Sequence, residues 1–293
     1  HKSTQNELNN FSWLSKETSI IINNWFMMYF LSVVLIGTVY PIFLDVLSSQ
    51  KISVGPPFYH KLIVPFLIPF LLAMAIGPKL KWVKSNLEDK FSLILLLIIS
   101  VLISFFILKI FEANFLINTI LISSAAYLFF ITFRDFFIKK FNNISQNIAH
   151  FGFSLLILSI LFNSLFSSEI ITNLKVGETF EDLNTKIILK SIEQKEEKNF
   201  KSIIANFNIE NSKGIIENLS PELRIYNQPN IVTSEADIKT TMMSDKFIVI
   251  NVVQNQDYFN VRYQVKPFML WIWLSVLLIS FGGLLSLFKK NYE

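Results

Sequence analysis

Cysteine is absent from this sequence of 293 residues, and histidine occurs only 3 times. Without cysteine the chain forms no disulfide and offers no thiolate ligand or thiol nucleophile. The net charge is only +4, and no basic run with interleaved aromatic residues suggests nucleic-acid binding. Phosphate-binding loops of the GxxxxGK[ST] type, HExxH zinc helices and GxSxG elbows are also missing. The sequence therefore shows none of the short motifs by which common soluble enzymes are recognised.

Apolar residues are abundant instead. They make up 52% of the chain, 30 residues are phenylalanine, and the mean hydropathy is +0.47, values typical of membrane proteins. Apolar runs long enough to cross a bilayer predict about six α-helical spans, at 24–44, 62–76, 91–108, 115–133, 148–166 and 267–288. The predicted fold class is a polytopic α-helical membrane protein with one small β-rich domain.

The change in composition along the chain predicts three regions. Residues 1–166 form a five-span membrane region with a cytoplasmic N-terminus, and residues 267–293 form a final span with a cytoplasmic tail. Between them, residues 167–266 are charged and contain short runs in which apolar and polar residues alternate, which predicts a β-rich domain.

Proline residues and polar segments predict where some of the spans begin, end or bend. Residues 1–19 are predicted to be a loop, Tyr40–Pro41 to end or kink the first span, and the diproline turn 53–60 to exclude helix before the second. Because Pro65 and Pro69 interrupt the second span, it is predicted to be kinked, with a re-entrant segment as the alternative.

The short loops also predict the orientation. Most of their lysine and arginine residues fall on one side, against Lys51, Lys61 and Lys109 on the other, so the positive side is the cytoplasmic or matrix side. The β-rich domain is then predicted to face the periplasm or its organellar equivalent. Asp45, Glu112 and Glu169 are placed at span ends, and the lack of carboxylates inside the spans argues against a permease.

His150 is the candidate site residue. It lies near the cytoplasmic end of the fifth span, and an ionisable side chain in such a run indicates a functional site. Small or polar residues on both sides of this helix, such as Gly152, Ser154 and Ser159, predict that it is wedged between other helices. Neutral imidazole commonly ligates metals, including haem iron; the alternative is a histidine lying among lipid headgroups. His60 lies at the opposite membrane surface, so the two cannot ligate one haem.

Nine segments together resemble the carboxy-terminal half of the cytochrome c maturation haem lyase family, CcmF and its NrfE relatives. In chain order they are SKETS at 15–19, GTVYP at 37–41, ISVGPPF at 52–58, GPKLKW at 77–82, HFG at 150–152, PELRIY at 221–226, SEADI at 234–238, KPFMLWIW at 266–273 and GG at 282–283.

This resemblance implies a part of a haem lyase, which attaches haem covalently to a CxxCH sequence of apocytochrome c. In the family a haem chaperone, CcmE, delivers haem to a WWD segment, and a separate b-type haem in the membrane is thought to reduce it. His150 matches the position of an axial ligand of that b-type haem. Apocytochrome c, CcmE and other maturation subunits such as CcmH are the implied partners, and a bacterial or mitochondrial inner membrane is the implied location.

The sequence also departs from the family pattern. It contains no WWD segment, and the family's other functional histidines precede the region covered. The chain is therefore expected to be a truncated piece or one subunit of a split lyase, with the second axial ligand supplied by an upstream WWD-bearing half; no residue is assigned to catalysis. The alternative is a module that docks apocytochrome or the haem chaperone through the surface around Glu222, Arg224 and Glu235, and a permease is the third possibility.

Overall fold

The computed structural model describes residues 12–48, 52–83, 89–111, 115–138, 143–182, 185–211, 214–252 and 257–288. The chain divides into two compact units, one of residues 1–158 with 274–293 and the other of residues 159–273. The elements comprise six α-helices and ten β-strands within the described residues. The predicted fold class, a helical membrane protein with a β-rich domain, is confirmed.

Each helix is long and apolar enough to cross a membrane. The helices are α1 (Lys16–Ser48), α2 (Pro56–Ile76), α3 (Lys90–Phe111), α4 (Phe115–Ile138), α5 (Ile144–Phe166) and α6 (Met269–Leu287), and a short 3-10 turn, Gly77–Lys79, follows α2. α4 lies against both α2 and α3 and is the most buried of the six. Its small residues 123–126 are buried, as close packing between helices requires.

The first helix is longer than predicted at both ends. It begins at Lys16, inside the segment predicted to be a loop, because Ser15 caps it: the Ser15 Oγ accepts a hydrogen bond from the Thr18 main-chain N–H at 3.3 Å. It also continues through Pro41 to Ser48, so the predicted end at Tyr40–Pro41 is wrong. Residues 1–11 of the predicted loop lie outside the described residues.

Proline also starts the second helix instead of delaying it. Pro56 and Pro57 occupy its first turn, where a proline loses no intrahelical hydrogen bond. The prediction that residues 53–60 exclude helix is therefore wrong for 56–60, and His60 lies in the helix. Despite Pro65 and Pro69, α2 is one continuous helix of 21 residues, a length that favours a span over a re-entrant segment.

The fourth helix extends to Ile138, beyond the predicted end at residue 133. This extension brings Asp135 inside a helix, and Asp135 is only 6% exposed. The prediction that the spans contain no carboxylate is therefore wrong. Asp135 forms an ion pair with Lys79, whose Nζ lies 2.7 Å from Asp135 Oδ2. Glu112, which was predicted to lie at a span end, falls outside the described residues.

The β-rich domain consists of two antiparallel sheets. The strands are β1 (Ser168–Leu174), β2 (Thr179–Asp182), β3 (Thr185–Glu196), β4 (Phe200–Asn211), β5 (Ile216–Leu219), β6 (Glu222–Tyr226), β7 (Val232–Glu235), β8 (Asp237–Thr240), β9 (Ser244–Val252) and β10 (Phe259–Pro267). One sheet has the order β1-β10-β9-β8 and the other β2-β3-β4-β6-β7, with β5 paired to β4. Alternate apolar residues of both sheets form one core, which includes Ile187, Leu189, Phe207, Ile248 and Val261.

Candidate functional site

Hydrogen bonds join the start of α1 to the segment that follows α2. The Lys16 N–H donates to the Lys81 carbonyl at 3.0 Å, and the Val83 N–H donates to a carboxylate oxygen of Glu17 at 3.0 Å. The Lys16 Nζ also lies 5.0 Å from the centre of the Trp82 ring, within cation–π distance. These contacts bring together two segments, 15–19 and 77–82, that are far apart in the sequence.

Gly77 permits this close approach. A Cβ at residue 77 would lie 2.4 Å from the Ser19 Oγ, closer than real Cβ atoms come to any heavy atom. The lack of a side chain therefore lets α1 approach the turn after α2. The result is a cleft on this side of the helices.

His150 lies in the wall of this cleft. The cleft has a volume of about 200 Å³. Its walls come from α1, α2 with the following turn, and α5, and are formed by Lys16, Ser19, Ile20, Asn23, Ala73, Met74, Gly77, Pro78, Gln146 and His150. Four of these side chains besides His150 can hydrogen-bond, so the imidazole faces a polar space that is partly open.

The His150 ring also interacts with the main-chain carbonyl of Met74. A carbonyl accepts a hydrogen bond from one ring nitrogen and thereby selects a tautomer. The other nitrogen of a neutral imidazole then keeps its lone pair, as a metal ligand requires. The Met74 main chain therefore lies beside the His150 ring.

The helix that carries His150 is held on two sides, as its small residues predict. A Cβ at Gly152 would lie 3.0 Å from the Ile279 main-chain nitrogen, and a Cβ at Gly282 would lie 2.7 Å from the Ala149 nitrogen, so α5 and α6 pack backbone to backbone. On another side the Phe151 ring lies 4.9 Å from the Phe129 ring of α4. Ser154 and Ser159 are buried too. The prediction of a wedged helix is confirmed.

His60 is far from this site. It lies near the start of α2, and Met74, which contacts His150, lies 14 residues further along the same helix. At roughly 1.5 Å per residue this separation is about 21 Å along the helix axis. The two histidines therefore cannot bind the same iron atom.

Known proteins resemble both the β-sandwich and the chain as a whole. Residues 165–267 match the family model described as the CcmF C-terminal beta-sandwich. The chain is 27% identical to the cytochrome c-type biogenesis protein CcmF of Pseudomonas fluorescens over 97% of its length and 45% of that protein. It is 25% identical to CcmF of Escherichia coli (strain K12) over 100% of its length and 46% of that protein.

The chain is similar along its length to the carboxy-terminal half of CcmF. A solved structure of the cytochrome c heme lyase CcmF superposes with a TM-score of 0.69 at 18% identity, covering 93% of this chain and 46% of that one, so the fold is the same. The NrfE protein of Haemophilus influenzae is 23% identical over 95% of the chain. The chain spans about half the length of the curated CcmF relatives that it matches.

The side chains around the cleft suit the b-type haem that the CcmF resemblance implies, but the cleft is small for it. The donor chemistry fits, because His150 presents an imidazole and Lys16 a cation that can pair with a propionate. The size fits less well, since about 200 Å³ is below the roughly 300–1,000 Å³ of pockets that enclose larger ligands. Within the described residues no group of three metal-ligating side chains occurs. The described residues of the cleft thus offer one imidazole and one cation to such a group.

Sequence reasoning missed other residues around the cleft. Gln146 lies one helical turn before His150, so the spacing of four residues could have indicated it. Lys16 and Asn23 could not be found this way, because they reach the cleft only through packing of α1 on α2. The Lys79–Asp135 pair was missed because the end of α4 was placed too early.

The residues named for a docking surface do come together on the sandwich. The Arg224 Nε donates to Glu222 Oε2 at 3.0 Å, and Glu235 of β7 lies directly opposite Glu222 of β6 in the sheet register. The Arg224 guanidinium lies 5.1 Å from the centre of the Phe200 ring. The hydrogen bond from Arg224 to Glu222 raises the pKa of the guanidinium further above its ordinary value. The three side chains thus form one ordered polar surface.

Proposed function

We propose that this chain is a component of a haem lyase, which attaches haem covalently to the CxxCH sequence of apocytochrome c. The relatives over its whole length are named cytochrome c-type biogenesis proteins, which supports a role in cytochrome c maturation. The observation that carries the proposal is His150, a half-buried imidazole beside the Met74 main chain in a cleft with polar walls. The chain would contribute one axial ligand to a b-type haem in the membrane.

Each residue of the cleft would have a distinct role in holding this haem. His150 would donate its free ring nitrogen to the iron, and the Met74 carbonyl would keep the ring in the required tautomer. Lys16 would neutralise a propionate. When bound, the b-type haem would supply one-electron reduction of the haem that is to be attached.

The remaining parts of the site would come from another polypeptide or from chain upstream of this sequence. A haem with two axial histidines needs a second ligand, and His60 lies too far away to provide it. An upstream WWD-bearing half would provide that ligand and the surface where haem is delivered by CcmE. Apocytochrome c and maturation subunits such as CcmH would complete the assembly in a bacterial or mitochondrial inner membrane, with the β-sandwich on the periplasmic side.

The test is a reduced-minus-oxidised absorption spectrum of the detergent-purified chain, alone and co-expressed with an upstream half. We expect a b-type signal only with both halves. His150→Ala should abolish that signal and lower the yield of cytochrome c. His60→Ala is the matched control, because it removes an imidazole from the other end of α2 without touching the cleft, and it should leave the spectrum unchanged.

An unchanged spectrum and an unchanged cytochrome c yield in His150→Ala would contradict the proposal. The chain would then be better described as a docking module for apocytochrome c or the haem chaperone. The ordered surface of Glu222, Arg224 and Glu235 favours that second function. Charge reversal at Glu235 should abolish partner pull-down there while leaving the haem spectrum intact.

A permease is the third candidate, and it predicts substrate-dependent transport in proteoliposomes. Asp135 is a carboxylate inside a span, as proton-coupled transporters require. Its ion pair with Lys79, however, gives it a structural role that needs no transported substrate.

A further inference from the structure

The turn between β8 and β9 exposes two methionines. We call residues 241–244 the methionine turn. Met242 is 67% exposed and Met243 is 63% exposed. Thr241 and Ser244 close the turn, with the Thr241 N–H donating to the Ser244 carbonyl at 3.0 Å and the Thr241 Oγ1 donating to the same carbonyl at 2.7 Å. The methionines are thus held outward by an ordered turn.

Two hydrogen bonds fix the methionine turn to the beginning of α6. The Trp271 Nε1–H donates to the Met242 carbonyl at 3.0 Å. The Phe268 N–H donates to the Met243 carbonyl at 2.8 Å. The turn therefore lies at the level of the first helical turn of α6.

The ends of two helices that are long and apolar enough to span a membrane lie at that level. The Asn163 side chain near the end of α5 donates to the Pro267 carbonyl at 2.6 Å, and the Phe162 and Phe268 rings lie 5.6 Å apart. The end of α5 and the start of α6 are therefore side by side. Tryptophan prefers the boundary between headgroups and acyl chains, and Trp271 lies in the first turn of α6.

We propose that the methionine turn inserts into this boundary and that lipid covers Met242 and Met243. The continuity of the turn with the ends of two spans decides the occupant, because a side chain projecting at that level meets lipid. Methionine suits such a surface, since its thioether is apolar and its long side chain is flexible. The turn would tie the β-sandwich to the bilayer at a point separate from its two chain connections.

The test uses single cysteine variants, which label uniquely because the chain has no cysteine. Met242→Cys and Met243→Cys of the full chain would each carry a nitroxide label in phosphatidylcholine/phosphatidylglycerol vesicles. Electron paramagnetic resonance then compares relaxation by oxygen, which concentrates in lipid, with relaxation by a water-soluble nickel chelate. Val232→Cys, at a 56% exposed residue of β7, is the control for a water-facing apolar site, and Leu277→Cys, at a 66% exposed residue of α6, is the control for lipid.

We expect labels at 242 and 243 to show more oxygen and less nickel relaxation than the label at 232, with values between those at 232 and 277. Two positions are used so that local disturbance by one label does not decide the result. Nickel relaxation at both positions equal to that at 232 would overturn the proposal. The outcome does not depend on haem, so it leaves the proposed function untouched in either case.

Discussion

Gly282→Ala should separate the helix that carries His150 from its neighbour. The added Cβ would lie 2.7 Å from the Ala149 nitrogen and 2.8 Å from the Ser145 carbonyl oxygen, both main-chain atoms that cannot rotate away. Because carbon atoms normally rest about 3.5–4.0 Å from such neighbours, α5 and α6 must move apart by roughly 1 Å. Overpacking of this kind costs about 1–3 kcal/mol.

The neighbouring glycine provides a matched control. A Cβ at Gly283 would meet no heavy atom within 4 Å, so Gly283→Ala adds the same methyl group without a clash. Alanine also favours the helix by about 0.5–1 kcal/mol over glycine. Both variants gain this contribution, so it cancels in their difference, and they should differ in the free energy of unfolding by the overpacking cost alone, roughly 1–3 kcal/mol.

The assay is equilibrium unfolding of each purified variant in mixed micelles, followed by circular dichroism. The haem spectrum of the same variants, co-expressed with an upstream half, would show whether the shift reaches His150, the residue next to Ala149. We expect Gly282→Ala to lose stability and haem together, and Gly283→Ala to lose neither. Equal stability of the two variants would refute the backbone-to-backbone packing of α5 on α6.

Three further predictions concern other parts of the chain. Asp135→Leu should destabilise the helical unit by up to about 3–5 kcal/mol, because it removes the carboxylate that pairs with the buried Lys79. The double variant with Lys79→Met should recover most of the loss, and thermal unfolding in detergent measures both. Burial and the nearby Glu217 carboxylate raise the pKa of Tyr263 to about 12. The unfolded chain, with a tyrosine pKa of about 10, then loses its proton first, so stability should fall as pH rises from 10 to 12, and Tyr263→Phe should reduce that fall in alkaline unfolding experiments. Ser15→Ala removes the cap of α1 and should cost about 1 kcal/mol, measured by the same thermal unfolding, with the helix start fraying toward the cleft.

Sequence patterns predicted elements better than their ends. The six helices and the β-rich domain were predictable because a bilayer and a sandwich each impose a simple periodicity on apolar residues. The ends were not, because they depend on local partners. Lys16 starts α1 because Ser15 caps it, and α4 continues to Ile138 with Asp135 buried against Lys79.

The sequence by itself determined that His150 is an unusual residue at the end of an apolar helix, and its HFG context contributed to the family resemblance. Only the tertiary structure decided what surrounds the imidazole. The Met74 carbonyl and the Lys16 side chain come from α2 and α1, which lie more than seventy residues away in the chain. No local pattern specifies such contacts, because they depend on how closely helices approach, and glycines such as Gly77 set that distance.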